Sequence, residues 1–451
     1  MMDSKLQAII ANVTKNELIL RIVKNSGYLF SATGISSAMS AFQSILAGRL
    51  LGPSVFGILG ALTSFTSVVN RFASFRMNEL VVKYVGHYQE NQEQEKAAAV
   101  FKIASMLEFG SSIAAFLLIF FLAPVGARFF AHDVSLVFWF RLYGSIILAN
   151  VFFESATGLL QIFDRFRVIA LINVGQSCIT LILVVIAYFM KSGLSSIVVA
   201  YMTGKIIGSL AISIIALIEA GKKWGKRWWS LPVRILKTEI RSLLTFAFST
   251  NLSGTVSLIA KDSEVLWVSA FLGTQLAGYY KTALALTGLI QLPVSPLPQT
   301  TFPELAREIA KKNWENVRTV LRQGSRLAAF YSIPVSLVLI LFGRWGISVT
   351  YGPDFIASYE PLIILLIGYT FVNIFYWNRV ALLSFAHPVF PTIVNFVGMV
   401  IKVSLIFLIV PRWGYLAFSA LLSGYYIFTV GIAAGRVIID LRSRFAVQPS
   451  R

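Results

Sequence analysis

The sequence predicts an all-α, polytopic membrane protein of about twelve transmembrane helices, arranged as two six-helix lobes around a central cavity. Three observations predict this fold class. The chain of 451 residues is 57% hydrophobic and only 13% charged, with a mean hydropathy of +0.74, unlike an ordinary soluble domain. Its apolar residues fall in segments of about 20 or more, the length a helix needs to cross a bilayer. The second half of the chain also repeats landmarks of the first.

The predicted spans follow from the apolar segments between charged or turn-forming connections. Six are predicted in the first half, at residues 28–48, 55–75, 98–123, 135–160, 168–190 and 193–220. Six more are predicted in the second half, at residues 245–269, 276–298, 324–347, 358–384, 389–410 and 414–436. The residues before the first span carry charges without a sustained apolar core, so they are interpreted as a cytoplasmic, partly amphipathic leading helix and not as a cleaved signal peptide.

The orientation of the spans follows from the lysines and arginines in alternate connections, because cytoplasmic loops retain positive charge. The connections on one side of the predicted membrane, together with both termini, carry 27 of the 39 basic residues. The connections on the other side carry five. We therefore expect both termini to be cytoplasmic.

A basic cytoplasmic connector at residues 221–241 divides the chain into a predicted N-terminal lobe, residues 1–220, and a predicted C-terminal lobe, residues 242–451. Its sequence KKWGKRWWSLPVRILKTEIR holds seven basic residues among tryptophans. Such a segment is typical of an anchor on an anionic inner-leaflet surface. A net charge of +19 can also accompany nucleic-acid binding, but the chain shows neither a basic soluble face nor a nucleic-acid-binding motif.

The two predicted lobes share landmarks at a nearly constant offset. Three glycines of the first half recur 221 positions later: Gly52 as Gly273, Gly57 as Gly278 and Gly193 as Gly414. Six spans in each half imply parallel repeats. Transporters built from internal repeats bind substrate near the midplane, between the repeats, and rock one repeat against the other.

A polar line runs down the seventh predicted span. Polar residues recur there every fourth position and lead to a lysine: Thr245, Ser249, Ser253, Ser257 and Lys261. This spacing places them on one helical face. A lysine facing lipid at the centre of a span costs about 2.5–3.5 kcal/mol, so the helix is predicted to line a polar cavity. The first span presents a matching face, with Ser40 aligned to Lys261 by the repeat: Thr33, Ser37, Ser40 and Ser44.

The charges inside the predicted spans favour an anionic ligand. Seven are basic: Arg71, Lys102, Arg141, Lys205, Lys261, Lys281 and Lys402. Four are acidic: Glu108, Glu154, Asp262 and Glu264. Five of the basic residues are predicted to contact an anionic group of the substrate in the cavity: Lys261 first, then Arg71, Arg141, Lys205 and Lys281. Alternatives stay open for several: Arg71 and Lys102 can snorkel to the interface, Arg141 and Lys402 can form structural pairs, and Lys281 can anchor at the interface.

The neighbouring acids of the seventh span call for different roles. Asp262 and Glu264 diverge by roughly 200° on a helix, so they cannot form a two-carboxylate site together. One is expected to pair with a basic neighbour. The other, like Glu154, is a candidate for coupling to a proton or a sodium ion.

Several stretches of the chain together resemble a known family. They are RLLGPSVFG after the polar first span, MNELVVKYV after the second, the basic connector, and FLGTQLAGYY followed by FPELAREIAKKN. The chain is similar, over almost its whole length, to bacterial oligosaccharide and polysaccharide flippases of the multidrug/oligosaccharidyl-lipid/polysaccharide exporter (MOP) superfamily. This resemblance implies a V-shaped pair of lobes that moves an undecaprenyl-diphosphate-linked oligosaccharide to the periplasmic leaflet of the inner membrane, as in the biosynthesis of O-antigen lipopolysaccharide.

The resemblance also implies partners and an energy source. The partners are the lipid-linked oligosaccharide, the bilayer, and the polysaccharide polymerase and chain-length proteins. A proton or sodium gradient drives the cycle, and basic side chains in the cavity meet the diphosphate.

No cofactor, metal or catalytic residue is predicted. The one cysteine, Cys178, and the three scattered histidines show no metal-ligand spacing, and there is no phosphate-binding GK[ST] motif. Two alternatives remain. A multidrug exporter of the same superfamily that takes organic cations should have an acidic cavity. A membrane glycosyltransferase or polymerase should have a substantial loop to hold the sugar, but the longest external connections, 124–134 and 347–357, are short.

Overall fold

The computed structural model describes residues 17–74, 77–237, 239–387 and 389–447, with side chains from residue 31 onward except at 233, 244, 247–254, 446 and 447. The described residues form sixteen α-helices and a few short turns of 3-10 or π helix, with no strand among them. Most of the predicted leading helix and the side chain of Ser253 therefore lie outside the described residues.

The first half contains eight helices. They are α1 (Glu17–Ala73), α2 (Met77–Glu90), α3 (Gln94–Phe130), α4 (Val137–Gly144), α5 (Ile146–Ala149), α6 (Phe153–Ile162), α7 (Phe166–Phe189) and α8 (Leu194–Trp224). The second half contains another eight. They are α9 (Ile240–Ser257), α10 (Glu264–Leu272), α11 (Thr274–Gln291), α12 (Leu297–Ala310), α13 (Trp314–Thr350), α14 (Tyr359–Ile374), α15 (Asn378–Ser384) and α16 (Phe390–Val447).

Two of the long helices are kinked at a glycine, which divides each of them into two helical segments. The backbone of α1 leaves helical geometry at Gly52 (φ 69°, ψ 170°), and that of α16 does so at Gly414 (φ 60°, ψ −144°). Gly273, between α10 and α11, has nearly the conformation of Gly52 (φ 91°, ψ 170°). Residues other than glycine rarely adopt a positive φ, which explains why glycine occupies these turns.

Among the described residues, eight helical stretches are long and apolar enough to cross a membrane. Two of them, Ser31–Ala73 and Phe390–Phe445, contain the kinks and supply two crossings each. The stretch 240–272 and helix α11 are not among the eight. They hold four of the charges inside the predicted spans, Lys261, Asp262, Glu264 and Lys281. With this stretch and α11 the chain makes twelve crossings, six in each half, as the sequence predicts.

The structure differs from the sequence prediction in the fourth span, which was predicted as one continuous helix but is divided into α4, α5 and α6. The Glu108 carboxylate, only 3% exposed, explains how the break is tolerated. It accepts hydrogen bonds from the backbone N–H groups of Glu154 (2.8 Å) and Ser155 (2.9 Å) at the start of α6. These groups have no partner within their own helix, and lipid offers none.

The tenth predicted span, 358–384, is likewise broken into α14 and α15. The buried Asn373 side chain lies just before this break. Its amide donates hydrogen bonds to the Ile290 carbonyl (3.1 Å) and the Ser332 hydroxyl (3.2 Å). A buried polar side chain thus lies at each interruption, from the neighbouring helix α3 in the fourth span and from the span itself in the tenth.

The buried core distinguishes the two ends of the helices. We call the end with most of the basic connections the basic end, and the opposite end, with Gly52, Gly273 and Gly414, the distal end. One large apolar cluster includes residues of both halves and extends to the distal end. Two smaller clusters lie toward the basic end, one built mainly from the first half and one from the second. The halves therefore share a core on the distal side and have separate cores on the basic side, which gives a V-shaped arrangement.

Candidate functional site

The two halves approach most closely at the distal end, through two glycines. A Cβ atom on Gly57 would lie 1.7 Å from the Thr274 carbonyl oxygen, and one on Gly278 would lie 2.0 Å from that of Pro53. The hydroxyls of Ser54 and Thr274 are 3.2 Å apart and hydrogen-bonded. We call these five residues the distal closure. Only glycine allows the backbones to come so close.

An aromatic cluster from both halves packs beside the distal closure. Phe56 of α1 lies against Phe355, with ring centroids 5.9 Å apart, and Phe355 in turn contacts Tyr279 and Tyr351. The hydroxyl of Ser44 is 3.0 Å from that of Tyr351. Ser44, predicted to line the cavity, is thus used in a contact between the halves.

Lys281 of α11 reaches across to the first half below the distal closure. Its ammonium lies 4.1 Å from the centroid of the Phe56 ring, a cation–π contact. A Cβ atom on Gly60 would lie 2.9 Å from the Lys281 side chain, so Gly60 makes room for it. No described carboxylate forms an ion pair with this ammonium.

Arg71 and Asp262 form an ion pair between the halves. Arg71 lies in the last turn of α1, and the two side chains are 48% and 37% exposed. Arg71 also lines a cavity of about 320 Å³ at the basic end of the first half. The other residues that line it are Ser74, Asn78, Glu79, Phe153, Glu154 and Thr157. Glu154, a predicted coupling residue, thus lies on the same cavity as Arg71.

Lys261 and Asp262 lie in a π-helical turn, Leu258–Asp262, between α9 and α10. The Ser263 N–H donates to the Leu258 carbonyl at 3.0 Å, five residues back. This π turn interrupts the regular α-helical spacing in the last turn of the polar face predicted from Thr245 to Lys261. The polar face itself stays a prediction, since the side chains of Ser249 and Ser253 lie outside the described residues. Such π turns are frequent at functional sites. The Lys261 side chain is exposed, and no described residue forms an ion pair or hydrogen bond with it.

Glu264 and Lys402 form a second ion pair, buried within the second half, with side chains 1% and 2% exposed. The Tyr280 hydroxyl donates to the Glu264 carboxylate at 2.7 Å, and the Lys402 ammonium also donates to the Ala260 carbonyl inside the π turn. Asp262 and Glu264, the two acids of the seventh span, thus both form an ion pair with a basic residue. The sequence predicted such a partner for only one of them.

The remaining predicted residues lie apart from this region or show no contact with it. Arg141 stacks on Phe120 of α3, with its guanidinium carbon 4.2 Å from the ring centroid, and so contacts its own half. Lys205 is exposed on α8, Ser37 is half-buried and Ser40 is exposed on α1. The roles predicted for these residues stay predictions.

Arg71 and Asp262 meet at the boundary of the halves, and Lys261 precedes Asp262 in the same π turn. Lys281 reaches the boundary at a separate point, beside Phe56 and nearer the distal closure. We call these four charged residues the inter-lobe cluster. Phe56 and Gly60, which contact Lys281, were not predicted from the sequence. The only indication of their role was that they lie in the glycine-containing stretch that recurs in the second half. The described residues contain no group of three His, Cys, Asp or Glu side chains that could hold a metal ion.

We expect Asp262→Asn to loosen the contact between the halves with little effect on folding. The ion pair with Arg71 is too exposed to contribute more than about 1 kcal/mol to stability. The measurement is the rate at which a water-soluble thiol reagent labels Ser257→Cys, one turn before the cluster, in a Cys178→Ser background. The rate should rise several-fold in Asp262→Asn.

Glu219→Gln is the matched control, because it breaks an ion pair with an arginine of similar exposure, Arg165 at 2.7 Å, inside the first half. It should leave the labelling rate unchanged. Equal labelling rates in Asp262→Asn and the parent would show that the pair does not hold the halves together.

Comparison with known proteins identifies relatives of this architecture. The profile of a family described as "Polysaccharide biosynthesis protein" matches residues 22–309. Inner membrane protein YghQ of Escherichia coli is 22% identical over 342 residues, which covers 75% of this chain and 95% of that protein.

Two solved structures share the fold. An inward-facing multidrug resistance MATE family transporter of the MOP superfamily has a TM-score of 0.71 at 14% identity, over 92% of this chain and 96% of that chain. Lipid II flippase MurJ in an inward closed conformation has a TM-score of 0.68 at 17% identity, over 92% of this chain and 89% of that chain. The two-lobed transporter fold is therefore common to all three.

Proposed function

Because the chain belongs to the polysaccharide biosynthesis protein family, we propose that it is a flippase for an undecaprenyl-diphosphate-linked oligosaccharide. It moves the lipid-linked sugar from the cytoplasmic to the periplasmic leaflet of a bacterial inner membrane by alternating access of two lobes. The glycan is a repeat unit of a surface polysaccharide such as O-antigen, which a polymerase and chain-length proteins then assemble.

The observation that carries this proposal is the charge of the inter-lobe cluster. It holds three bases and one acid, and only Arg71 of the three bases has an ion-pair partner among the described residues. Lys261 and Lys281 are thus available to an anion that enters between the lobes. A pair of unit charges 4 Å apart is worth about 4 kcal/mol at an effective dielectric constant near 20, before desolvation is subtracted. A diphosphate offers the opposite charge at the end of an apolar lipid.

The orientation is supported by two features. The basic end carries most of the lysines and arginines, as cytoplasmic faces do. The halves are closed at the distal end, and the similar MATE structure is described as inward-facing. An inward-facing transporter is closed on the side away from the cytoplasm, which favours the periplasmic side for the distal end. With the basic end in the cytoplasm, the substrate enters from the leaflet in which it is made.

The Arg71–Asp262 pair provides a route from substrate binding to lobe movement. A diphosphate that approaches Arg71 competes with Asp262 and so weakens the contact between the halves. A proton or sodium ion on Asp262 has the same effect, which makes Asp262 the preferred coupling residue. Glu264 is less available, because Lys402 and Tyr280 already occupy its carboxylate.

The second candidate function is multidrug export, which the TM-score to the MATE transporter favours. The inter-lobe cluster argues against organic cations as the substrate, since bases outnumber acids there. Deletion of the gene separates the two functions. A flippase deletion loses a surface polysaccharide and accumulates its lipid-linked unit in the cytoplasmic leaflet, whereas an exporter deletion loses drug resistance and keeps the polysaccharide.

Lys261→Gln tests the role of the cluster. We expect the variant to insert normally and to lose most complementation of the deletion, because glutamine removes the charge at nearly constant size. If a quarter of the charge attraction survives desolvation, its loss lowers substrate affinity about fivefold. Lys261→Arg should retain more activity. The control is Lys237→Gln, which removes an exposed lysine of the connector and should complement fully. Full complementation by Lys261→Gln at matched protein level would remove Lys261 from the mechanism.

A further inference from the structure

A second charged cavity lies at the basic end of the second half, away from the inter-lobe cluster. Its volume is about 680 Å³, within the range of ligand sites. Four arginines line it: Arg318, Arg322 and Arg326 of α13 and Arg442 of α16. None of its other lining residues, which include Ser325, Ile374 and Trp377, carries a carboxylate. We call it the four-arginine cavity.

The four guanidinium groups are exposed, and none forms an ion pair with a described carboxylate. Three of them are spaced four residues apart along α13 and therefore share one face of the helix. Like charges at this spacing repel and destabilise a helix unless an anion lies between them. Arginine also matches phosphate oxygens with two parallel hydrogen bonds. The cavity is thus suited to a phosphate group.

The position of the arginines along α13 matches the head-group layer of a bilayer. Between Arg326 and Arg344 the helix has no charged residue, and it rises about 27 Å over these 18 positions. The hydrocarbon core of a bilayer is about 30 Å thick. Arg326 therefore lies at the boundary of the hydrocarbon, and the two preceding arginines lie among the head groups.

An apolar groove continues from the cavity toward the centre of the membrane. It lies between α13 and α14, has a volume of about 290 Å³ and shares Ile374 with the four-arginine cavity. Its lining includes Ile333, Leu337, Ile340 and Phe371. The two hydroxyls in it, of Ser336 and Thr370, are 2.6 Å apart and satisfy each other. A charged cavity at head-group depth and an apolar groove below it have the chemistry of a lipid.

We propose that the four-arginine cavity binds an anionic phospholipid of the leaflet at the basic end, with its phosphate among the arginines and an acyl chain in the groove. Basic pockets between transmembrane helices at this depth hold such head groups. All residues that line the cavity and groove belong to the second half, so the site is not formed across the boundary of the halves. That position favours a resident phospholipid over the transported lipid, and the inference does not depend on the proposed transport.

The test is thermal unfolding of the purified full-length protein in detergent, titrated with dioctanoyl phosphatidylglycerol or dioctanoyl phosphatidylcholine. Phosphatidylglycerol should raise the unfolding temperature and phosphatidylcholine should not. In Arg322→Gln/Arg326→Gln the half-point of this effect should shift to a roughly 30-fold higher concentration, since each arginine near an anionic lipid contributes about fivefold.

Two further variants make the result specific. Arg322→Lys/Arg326→Lys keeps the charge and should restore most of the affinity. Arg165→Gln/Arg167→Gln removes two exposed charges from the first half, on the same side of the membrane but outside the connector, and should bind phosphatidylglycerol as the parent does. Should the cavity double variant fail to fold, Arg442→Gln probes the same site from α16.

Native mass spectrometry of protein extracted from membranes identifies the occupant. A retained phospholipid that is lost from Arg322→Gln/Arg326→Gln supports the proposal. Retention of a polyprenyl diphosphate lipid in its place would overturn it. Equal half-points in the parent and the cavity double variant, or equal stabilisation by phosphatidylcholine, would also overturn it.

Discussion

Gly57→Ala is expected to stop the transport cycle without preventing folding. The added Cβ would lie 1.7 Å from the Thr274 carbonyl oxygen, an overlap that the backbone of α11 cannot relieve by a rotamer change. The two halves must separate at the distal closure instead. Overpacking of this kind costs about 1–3 kcal/mol. The population with a closed distal end should therefore fall roughly 5- to 150-fold.

Disulfide cross-linking across the closure measures this population. The hydroxyls of Ser54 and Thr274 are 3.2 Å apart, so Ser54→Cys and Thr274→Cys should cross-link readily in a Cys178→Ser background. The yield should drop in Gly57→Ala together with complementation. Gly288→Ala is the matched control, because no atom lies within 4 Å of its added Cβ and it is in α11, the helix that Gly57 packs against. Undiminished cross-linking in Gly57→Ala would mean that the closure does not require glycine.

Lys402→Met is expected to give the largest loss of stability. It leaves the Glu264 carboxylate, 1% exposed, with the Tyr280 hydroxyl as its one remaining side-chain partner among the described residues. Removing one member of a buried ion pair costs about 3–5 kcal/mol, a large share of the 5–15 kcal/mol that stabilises a typical protein. We expect little folded protein in detergent, measured as the monodisperse fraction and the unfolding temperature.

The double variant Lys402→Met/Glu264→Gln should recover most of this stability, because no buried charge is left without a partner. Arg165→Gln, which breaks an exposed pair, should change the unfolding temperature little. A double variant as unstable as Lys402→Met would contradict the assignment of the pair as structural. If the double variant folds and transports, Glu264 is removed from the coupling candidates.

The sequence predicted the number and order of the crossings because apolar length and loop charge are local properties of the chain. It also showed Gly52 and Gly273 as matching positions of the two repeats, but the turns at these glycines became evident only in the structure. The broken fourth and tenth crossings were missed, because apolar composition does not reveal where a neighbouring side chain such as Glu108 replaces a helical hydrogen bond.

The candidate site was predicted only in part. Lys261 was identified from the polar face that leads to it, but the π turn that contains it leaves no periodic signal. Pairing was harder to predict, because the partners of Asp262 and Glu264 come from crossings distant in sequence. Arg71 is 191 residues from Asp262, and Lys402 is 138 residues from Glu264. Only the tertiary structure decides which base approaches which acid.

The buried Glu264–Lys402 pair has a consequence for how the chain is inserted during synthesis. Arg71 has already been made when Asp262 leaves the ribosome, but Glu264 is made 138 residues before Lys402. A charged residue at the centre of a crossing costs about 2.5–3.5 kcal/mol at the insertion machinery. We therefore expect the seventh crossing to stay incompletely stabilised until the eleventh is synthesised, so that the crossings from the seventh to the eleventh settle in the membrane together and not one after another.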